Sequence, residues 1–250
     1  MMSTAIDLNS DLGEGEACDA ELLEIVSSCN IACGGHVGDV DSMAATVAAA
    51  LTNGVATGAH PSYPDRQGFG RRSGFLSGDA LLASLVVQVQ SLRAVCDTLG
   101  TSMTHVKPHG ALYNDAAENV EIAALIIKVF NELHDRTSLV GPPDCELESM
   151  AQQHGVPYVR EAFVDRAYLA SGRLVPRSDA GAVHEDLNVI ASQAVSIAVE
   201  QRVLSQNGDV ISLVADTLCV HGDAPGATAA ATSVRDVLQQ RGVQIRAVQR

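Results

Sequence analysis

Six short stretches hold most of the groups that could do chemistry. The first is Asp7-Leu8-Asn9-Ser10-Asp11-Leu12-Gly13-Glu14. Residues i, i+2 and i+4 of a strand share a face, so Asp7, Asn9 and Asp11 point one way while the strand lasts. Alternating acids at a strand end can hold a metal ion or a water; the competing reading is an Asx turn followed by a helix cap. The second stretch, Asn30 to Asp39, sets His36 among Gly34, Gly35 and Gly38. Glycines around one histidine suggest backbone crowded near something bound, and Asp39 suits the N-cap of a following helix.

The third stretch, Gly58 to Arg72, is the most distinctive. His60 falls at a predicted strand end, Pro61 and Pro64 stiffen the loop, and Arg66, Arg71 and Arg72 stand among glycines. Guanidinium forks on a glycine-rich backbone suit a carboxylate or a phosphate. In the fourth, His105-Val106-Lys107-Pro108-His109-Gly110-Ala111-Leu112-Tyr113-Asn114, His105 and Lys107 share a strand face and His109 follows at the strand end. A lysine inside a strand is costly unless paired or functional. The fifth holds Glu161, Asp165 and Arg166, with Arg173 and Arg177 further on. The sixth is Cys219-Val220-His221-Gly222-Asp223-Ala224-Pro225-Gly226. Asp223 reads either as a site residue or as the N-cap of the last helix; Cys219 reads as a buried structural thiol.

Each cluster follows a different predicted strand. The strands are Ala5–Asn9, Cys29–Ala32, Val55–Ala59, His105–Lys107, Ser138–Val140, Tyr158–Glu161 and a last one within Val210–Val220. Helical runs alternate with them: Ala20–Ser27, Ser42–Thr52, Gly78–Leu99, Val120–Leu133, Cys145–His154, Leu187–Ser205 and Ala227–Gln240. A βα unit repeated about seven times argues for a parallel sheet. The Gly-x-Gly-x-x-Gly fingerprint of a dinucleotide fold is missing, so a barrel is the better expectation, with chemistry at the C-terminal strand ends. No linker or low-complexity tract divides the chain, and residues 1–250 are expected to form one domain.

The formal net charge of −14 argues against nucleic-acid phosphates and anionic lipid as partners. No apolar run reaches the ~18 residues of a membrane span. Six cysteines form no CxxC pair, and with no signal peptide at the start they read as reduced cytoplasmic thiols. Of sixteen basic residues only Lys107 and Lys128 are lysine. Trp is absent, and most of the few aromatics lie in or beside the clusters; they are expected to line a site more than fill the core. There is no Gly-x-x-x-x-Gly-Lys-[Ser/Thr] loop, no Gly-x-Ser-x-Gly elbow and no His-Glu-x-x-His, so neither a self-contained P-loop ATPase nor a serine hydrolase fits.

Taken in order, the clusters resemble the LamB/YcsF family, which forms one component of bacterial ATP-dependent 5-oxoprolinase. Gly-Ala-His-Pro-Ser-Tyr-Pro-Asp-Arg (58–66) and Lys-Pro-His-Gly-Ala-Leu-Tyr (107–113) are the most specific stretches, and the likeness spans nearly the whole chain. The chain departs from the pattern at Glu16-Ala17, where an aromatic-Gly pair is expected, at Gly35, where an aromatic usually stands, and at Ala224, where Thr does. The resemblance implies a distorted seven-stranded (β/α) barrel similar to polysaccharide deacetylases. It implies cleavage of 5-oxo-L-proline to L-glutamate with ATP as co-substrate, and partner subunits B and C.

In that scheme Arg71, Arg72 and Lys107 would clamp a carboxylate or phosphoryl group. Asp11, His36 and His60 would position water, with a divalent metal as an option, since an Asp and two His match the ligand set of the related deacetylases. His109 would be the general acid or base. Asn9, Glu161, Asp165, Arg177, His221 and Asp223 would bind substrate or support these groups. Two rivals stay open: a stand-alone metal-dependent deacetylase or amidohydrolase, and a non-catalytic subunit that binds 5-oxoproline.

Overall fold

Each predicted strand forms, and seven of them close into a ring. The structure, a computed structural model, describes residues 5–133, 137–223 and 226–248; Ala224 and Pro225 of the sixth cluster lie outside them. The first six strands are β1 (Ala5–Leu12), β2 (Ser28–Ala32), β3 (Ala56–His60), β4 (His105–Val106), β5 (Ser138–Gly141) and β6 (Tyr158–Phe163). After them come β7 (Arg202–Leu204), β8 (Val210–Ser212), β9 (Thr217–Cys219) and β10 (Gln244–Ile245). Strands β1 to β6 pair in parallel in chain order, β9 follows β6, and β9 returns to β1 to close the barrel. β10 adds to the start of β1 at Ala5 and Ile6, and β7 and β8 form a separate antiparallel hairpin.

Helices α1 (Asp19–Leu23), α2 (Val40–Asn53), α3 (Gly78–Thr98), α4 (Gly110–Glu118), α5 (Val120–Leu133), α6 (Glu146–His154), α7 (Leu187–Glu200) and α8 (Ala227–Gln240) fill the connections. As expected, Asp39 caps α2: its Oδ1 accepts from Ser42 N at 2.9 Å while Ser42 Oγ accepts from Asp39 N at 2.9 Å. α3 is long and apolar enough by composition to cross a bilayer. Its Leu81, Leu85, Val89, Leu92 and Cys96 are nevertheless buried in the core.

Local physics moves some boundaries. α1 stops short of Ser27, because Ser27 N donates to Leu8 O (2.8 Å) and joins the sheet. α7 ends at Glu200, where Gln201 turns left-handed at φ 53°, and residues 202–204, predicted helical, become a strand. α4 is an addition to the predicted helices; it starts inside the fourth cluster, immediately after His109.

The strands alternate in character. Leu8, Cys29, Ile31, Val106, Leu139, Ala162 and Leu218 belong to the apolar core shared with the helices. Asp7, Asn9, Ser28, Asn30, His105, Glu161 and Thr217 are buried too, yet bond to one another across the barrel. At the end away from the site, Asp7 accepts from Ser27 Oγ, Ser28 Oγ and Thr217 Oγ1 at 2.6–2.7 Å. Burial still pushes its carboxyl above the usual range. Ala247 and Val248 help line a cavity of about 20 Å³ at this end.

His105 reaches Asn30 Oδ1 at 2.8 Å because residue 58, beside it on β3, has no side chain: a Cβ there would lie 2.2 Å from the imidazole. Gly58→Ala is therefore expected to destabilise the fold by about 1–3 kcal/mol. The pair Gly58→Ala/His105→Ala should cost less than the sum of the single changes. Thermal unfolding of the three variants measures both.

Candidate active site

Five of the six clusters line one cavity of about 460 Å³ at the C-terminal ends of the barrel strands, and the second brings His36 against the lining residues Glu14 and His109. Lys107 sits at its floor, immediately after β4, and is 2% exposed. Its Nζ lies 2.9 Å from Asp11 Oδ1, 2.8 Å from Glu161 Oε1 and 3.3 Å from Cys219 Sγ. Burial opposes the ammonium charge, but the Asp11 and Glu161 carboxylates outweigh it and hold the pKa well above the usual lysine value. Asn9 supports the arrangement from below. Its amide donates to Glu161 Oε1 (3.0 Å) and Thr217 Oγ1 (2.7 Å) and accepts from Asn30 (2.8 Å).

One wall is made of imidazoles and carboxylates. His60, the last residue of β3, donates from Nδ1 to Lys107 O at 2.8 Å. His109 places Nε2 on Phe69 O (2.9 Å) and Nδ1 3.0 Å from His60 Nε2. A carbonyl can only accept, so His109 Nε2 and His60 Nδ1 both carry protons. With His109 neutral, His60 Nε2 must donate to it, which makes His60 an imidazolium. Asp11 Oδ2 at 3.4 Å supplies the counter-charge. Burial disfavours a charged His60, but Asp11 outweighs it and raises the pKa. Burial likewise pushes Asp11 up, but His60 and Lys107 hold it well below the usual carboxylate range. Burial and the charge of His60 press His109 down to about 2 and His36 to about 3. The rings of these two stack at 3.7 Å.

Glu14 completes this wall. Strand spacing gives it no role, although it closes the first cluster; the turn at Gly13 (φ 74°) carries it back over the barrel mouth. Its Oε1 lies 2.8 Å from His36 Nε2, 3.6 Å from His109 Nδ1 and 3.9 Å from His60 Nε2. Ligand atoms of Glu14, His36 and His109 all fall within 4.8 Å of one another. One carboxylate with two imidazoles is a set that borderline divalent cations accept. Ser62 Oγ on His36 Nδ1 (3.0 Å) and Phe69 O on His109 Nε2 orient the rings as outer partners of ligands do. Of the sequence-proposed metal set, His36 belongs to this group, while Asp11 and His60 are turned to each other and to Lys107 and His109.

Four guanidinium groups also line the cavity, those of Arg71, Arg166, Arg173 and Arg177. Asp223 holds Arg71 (3.0 Å) and Arg177 (2.7 Å). It is therefore a site residue and not the cap of α8, whose N-cap is Gly226. Asp165, which is buried, accepts from His221 N (2.9 Å) and faces its Nδ1 (2.8 Å). Arg72 is not brought to the cavity: its Nε and Nη2 donate to Asp65, at 2.7 and 2.6 Å. Arg66 is spent on the carbonyls of Gly34 and Gly38. Among the aromatics, Tyr113, Phe163 and Tyr168 line the cavity as expected, whereas Tyr63 and Tyr158 fill the core. A Cβ at Gly35 would lie 2.3 Å from Gln88 Oε1, so Gln88 fills space where an aromatic was expected.

The family model of LamB/YcsF matches residues 6–250. The chain belongs to the LamB/YcsF family. This LamB/YcsF protein is 44% identical to the A-type subunit of 5-oxoprolinase from Heliobacterium modesticaldum, with 97% of each chain covered. A lactam utilization protein from Thermus thermophilus superposes with a TM-score of 0.91 at 39% identity, covering 98% of this chain and 100% of that one. A T48 deacetylase shares the fold at a TM-score of 0.53 and 12% identity, covering 97% of this chain and 87% of the other. The expected barrel, and its likeness to deacetylases, is thus what the chain adopts.

Two measurements probe the site's framework. Lys107→Met leaves buried carboxylates uncompensated and should cost about 3–5 kcal/mol. Adding Glu161→Gln should return part of that loss although Glu161→Gln alone destabilises, and a double-mutant cycle by chemical denaturation reads the sign. Asp165 is the second case. Burial raises its carboxyl, but the charge and hydrogen bonds of His221 hold it below the usual range. A depressed carboxylate contributes stability above its unfolded pKa of about 3.9 and loses it as pH falls through the folded value. The stability gap between wild type and Asp165→Asn should therefore be full at neutral pH and fade below about pH 4.

Proposed function

We propose that this chain, as one barrel domain, is the A component of an ATP-dependent 5-oxoprolinase. It cleaves 5-oxo-L-proline to L-glutamate together with partner subunits B and C. The observation that carries this reading is one cavity lined both by hydrolytic groups and by an anion clamp, with Lys107 at its floor.

A lactam amide is a poor electrophile. Transfer of the ATP γ-phosphoryl group to its carbonyl oxygen activates the carbon. Water then adds, the ring C–N bond breaks with a proton delivered to nitrogen, and an acyl phosphate remains. A second water releases phosphate and glutamate, so one ATP and two waters are consumed. Arg71 and Arg177 hold the carboxylate or phosphoryl group, with Lys107 balancing charge that develops at the carbon. Glu14, whose carboxyl pKa is raised by burial, faces the water and accepts its proton while His36 and His109 hold it in place, and His60, protonated on both nitrogens, donates to the ring nitrogen. Asp11 and Glu161 hold Lys107, while Asn9, Asp165, His221 and Asp223 keep the walls in register.

The convergence of Glu14, His36 and His109 favours one further reading, a metal-dependent amidohydrolase. A divalent cation held there would lower the pKa of a bound water. Chain alone, with and without ATP, should be compared with the mixture containing B and C, following glutamate and ADP. The expected result is glutamate with stoichiometric ADP from the mixture only. In that mixture Glu14→Gln and His60→Asn, checked as folded, should lose at least ~100-fold in turnover. Turnover by the chain without ATP would replace the proposal by the amidohydrolase, and elemental analysis with chelation would then identify the ion. Intact turnover in His109→Ala would leave only a binding subunit.

A further inference from the structure

Among the described residues, two buried polar atoms on the cavity wall lack a well-formed hydrogen bond: Glu161 Oε2 and Tyr113 Oη. Glu161 is 1% exposed and Tyr113 6%. Buried polar atoms without partners are rare in folded proteins, and a pair of them in one cavity points to a ligand. The other oxygen of Glu161 is already committed to Lys107 Nζ and Asn9 Nδ2, which fixes the direction of Oε2. Tyr113 is held edge-on by Phe163, at 5.8 Å between ring centroids. The phenol and the carboxylate are neighbours: burial and the charge of Glu161 hold the phenol well above its usual range. A weak hydrogen bond between phenol and carboxylate adds to that shift, but it falls outside ordinary hydrogen-bond geometry, so the phenol donor and Glu161 Oε2 remain open to a better-placed ligand. Phe163 and Leu174 provide an apolar surface beside them.

An acceptor beside a donor complements one kind of amide. In a five-membered lactam the ring forces the amide cis, so N–H and C=O project from the same edge. An open-chain secondary amide is almost always trans and presents these groups on opposite edges. We propose that Glu161 and Tyr113 read the cis-amide edge of a ring lactam, Glu161 Oε2 accepting from the ring N–H and Tyr113 Oη donating to the carbonyl oxygen. The ring methylenes lie on Phe163 and Leu174. This deepens the oxoprolinase reading and rests on it for the choice of ligand. It assigns a specificity role to Tyr113 and tells a lactam site apart from one built for acetamido groups.

Titration calorimetry on the full chain tests it with three probes. They are 5-oxo-L-proline, its lactone isostere with ring oxygen in place of N–H, and N-acetylglycine as a trans amide bearing a carboxylate. Wild type is expected to bind the lactam at least ~10-fold tighter than either of the others, the lactone because its ring oxygen faces a carboxylate. Tyr113→Phe, a near-isosteric change, should weaken the lactam ~10-fold with an unchanged melting temperature. Glu161→Gln should shrink the lactam-to-lactone ratio, because its amide can donate to a ring oxygen; a merely structural role would lower both affinities together. Wild type binding all three probes alike, or none, overturns the proposal, as does undiminished lactam affinity in Tyr113→Phe. Glutamate release by the complex with binding insensitive to Tyr113→Phe would sink the edge and spare the oxoprolinase reading. Selective lactam binding without turnover would do the reverse.

Discussion

The buried ammonium of Lys107 is the fixed point of this molecule. A lysine with 2% exposure is tolerable only because Asp11 and Glu161 stand within 2.9 Å of it. Those two carboxylates come from β1 and β6, the two neighbours of β9, while Lys107 follows β4, so the ion triad ties separate strands together at the mouth. It also fixes neighbouring geometry. Asp11, drawn to Lys107, presents its second oxygen to His60, and His60 in turn donates to the Lys107 carbonyl. The charge state of the imidazole wall follows from where one lysine sits.

Below that triad the barrel axis is polar. Ordinary βα barrels fill this space with layers of branched apolar side chains. Here Asn9, Asn30, His105, Thr217 and Asp7 form a hydrogen-bonded column from the mouth toward the opposite end. The apolar core lies outside it, between strands and helices. Such a column permits little repacking, since each member leaves a partner unsatisfied when it is removed. Its members also hold the site from behind: Asn9 touches Glu161 directly, and Asn30 donates to Asp11 at 2.8 Å.

The scaffold is legible in the sequence because period-2 runs and helical runs alternate without interruption, and because polar groups at strand ends have few structural uses. The same reasoning puts His36, His60, Lys107, His109 and Glu161 in one neighbourhood, where they are found. Arg72 misleads because a guanidinium among glycines looks the same whether it waits for a ligand or for Asp65, seven residues earlier. Glu14 escapes notice because its direction depends on a left-handed glycine turn that spacing on a strand does not describe. Tyr113 cannot be judged from sequence at all: its role lies in a buried donor left without a well-formed hydrogen bond, which only packing reveals. The ligand set suffers similarly, since Asp11 and Glu14 sit three residues apart and differ in their partners: Lys107 and His60 for Asp11, His36 and His109 for Glu14.

Barrel closure has a consequence for how the chain reaches this state. β1 pairs with β2 on one edge, but the other edge waits for β9, whose Thr217 bonds to Asp7 across 210 residues of sequence, and for β10 beyond it. During synthesis the first strand therefore emerges with a bare edge and two buried-to-be acids, Asp7 and Asp11, still in water. Sequence-distant closure of this kind is slow, and an unpaired strand edge invites association. Aspartates that later anchor the interior would keep that edge charged and solvated on the ribosome, so the same groups that organise the finished barrel can guard its unfinished one.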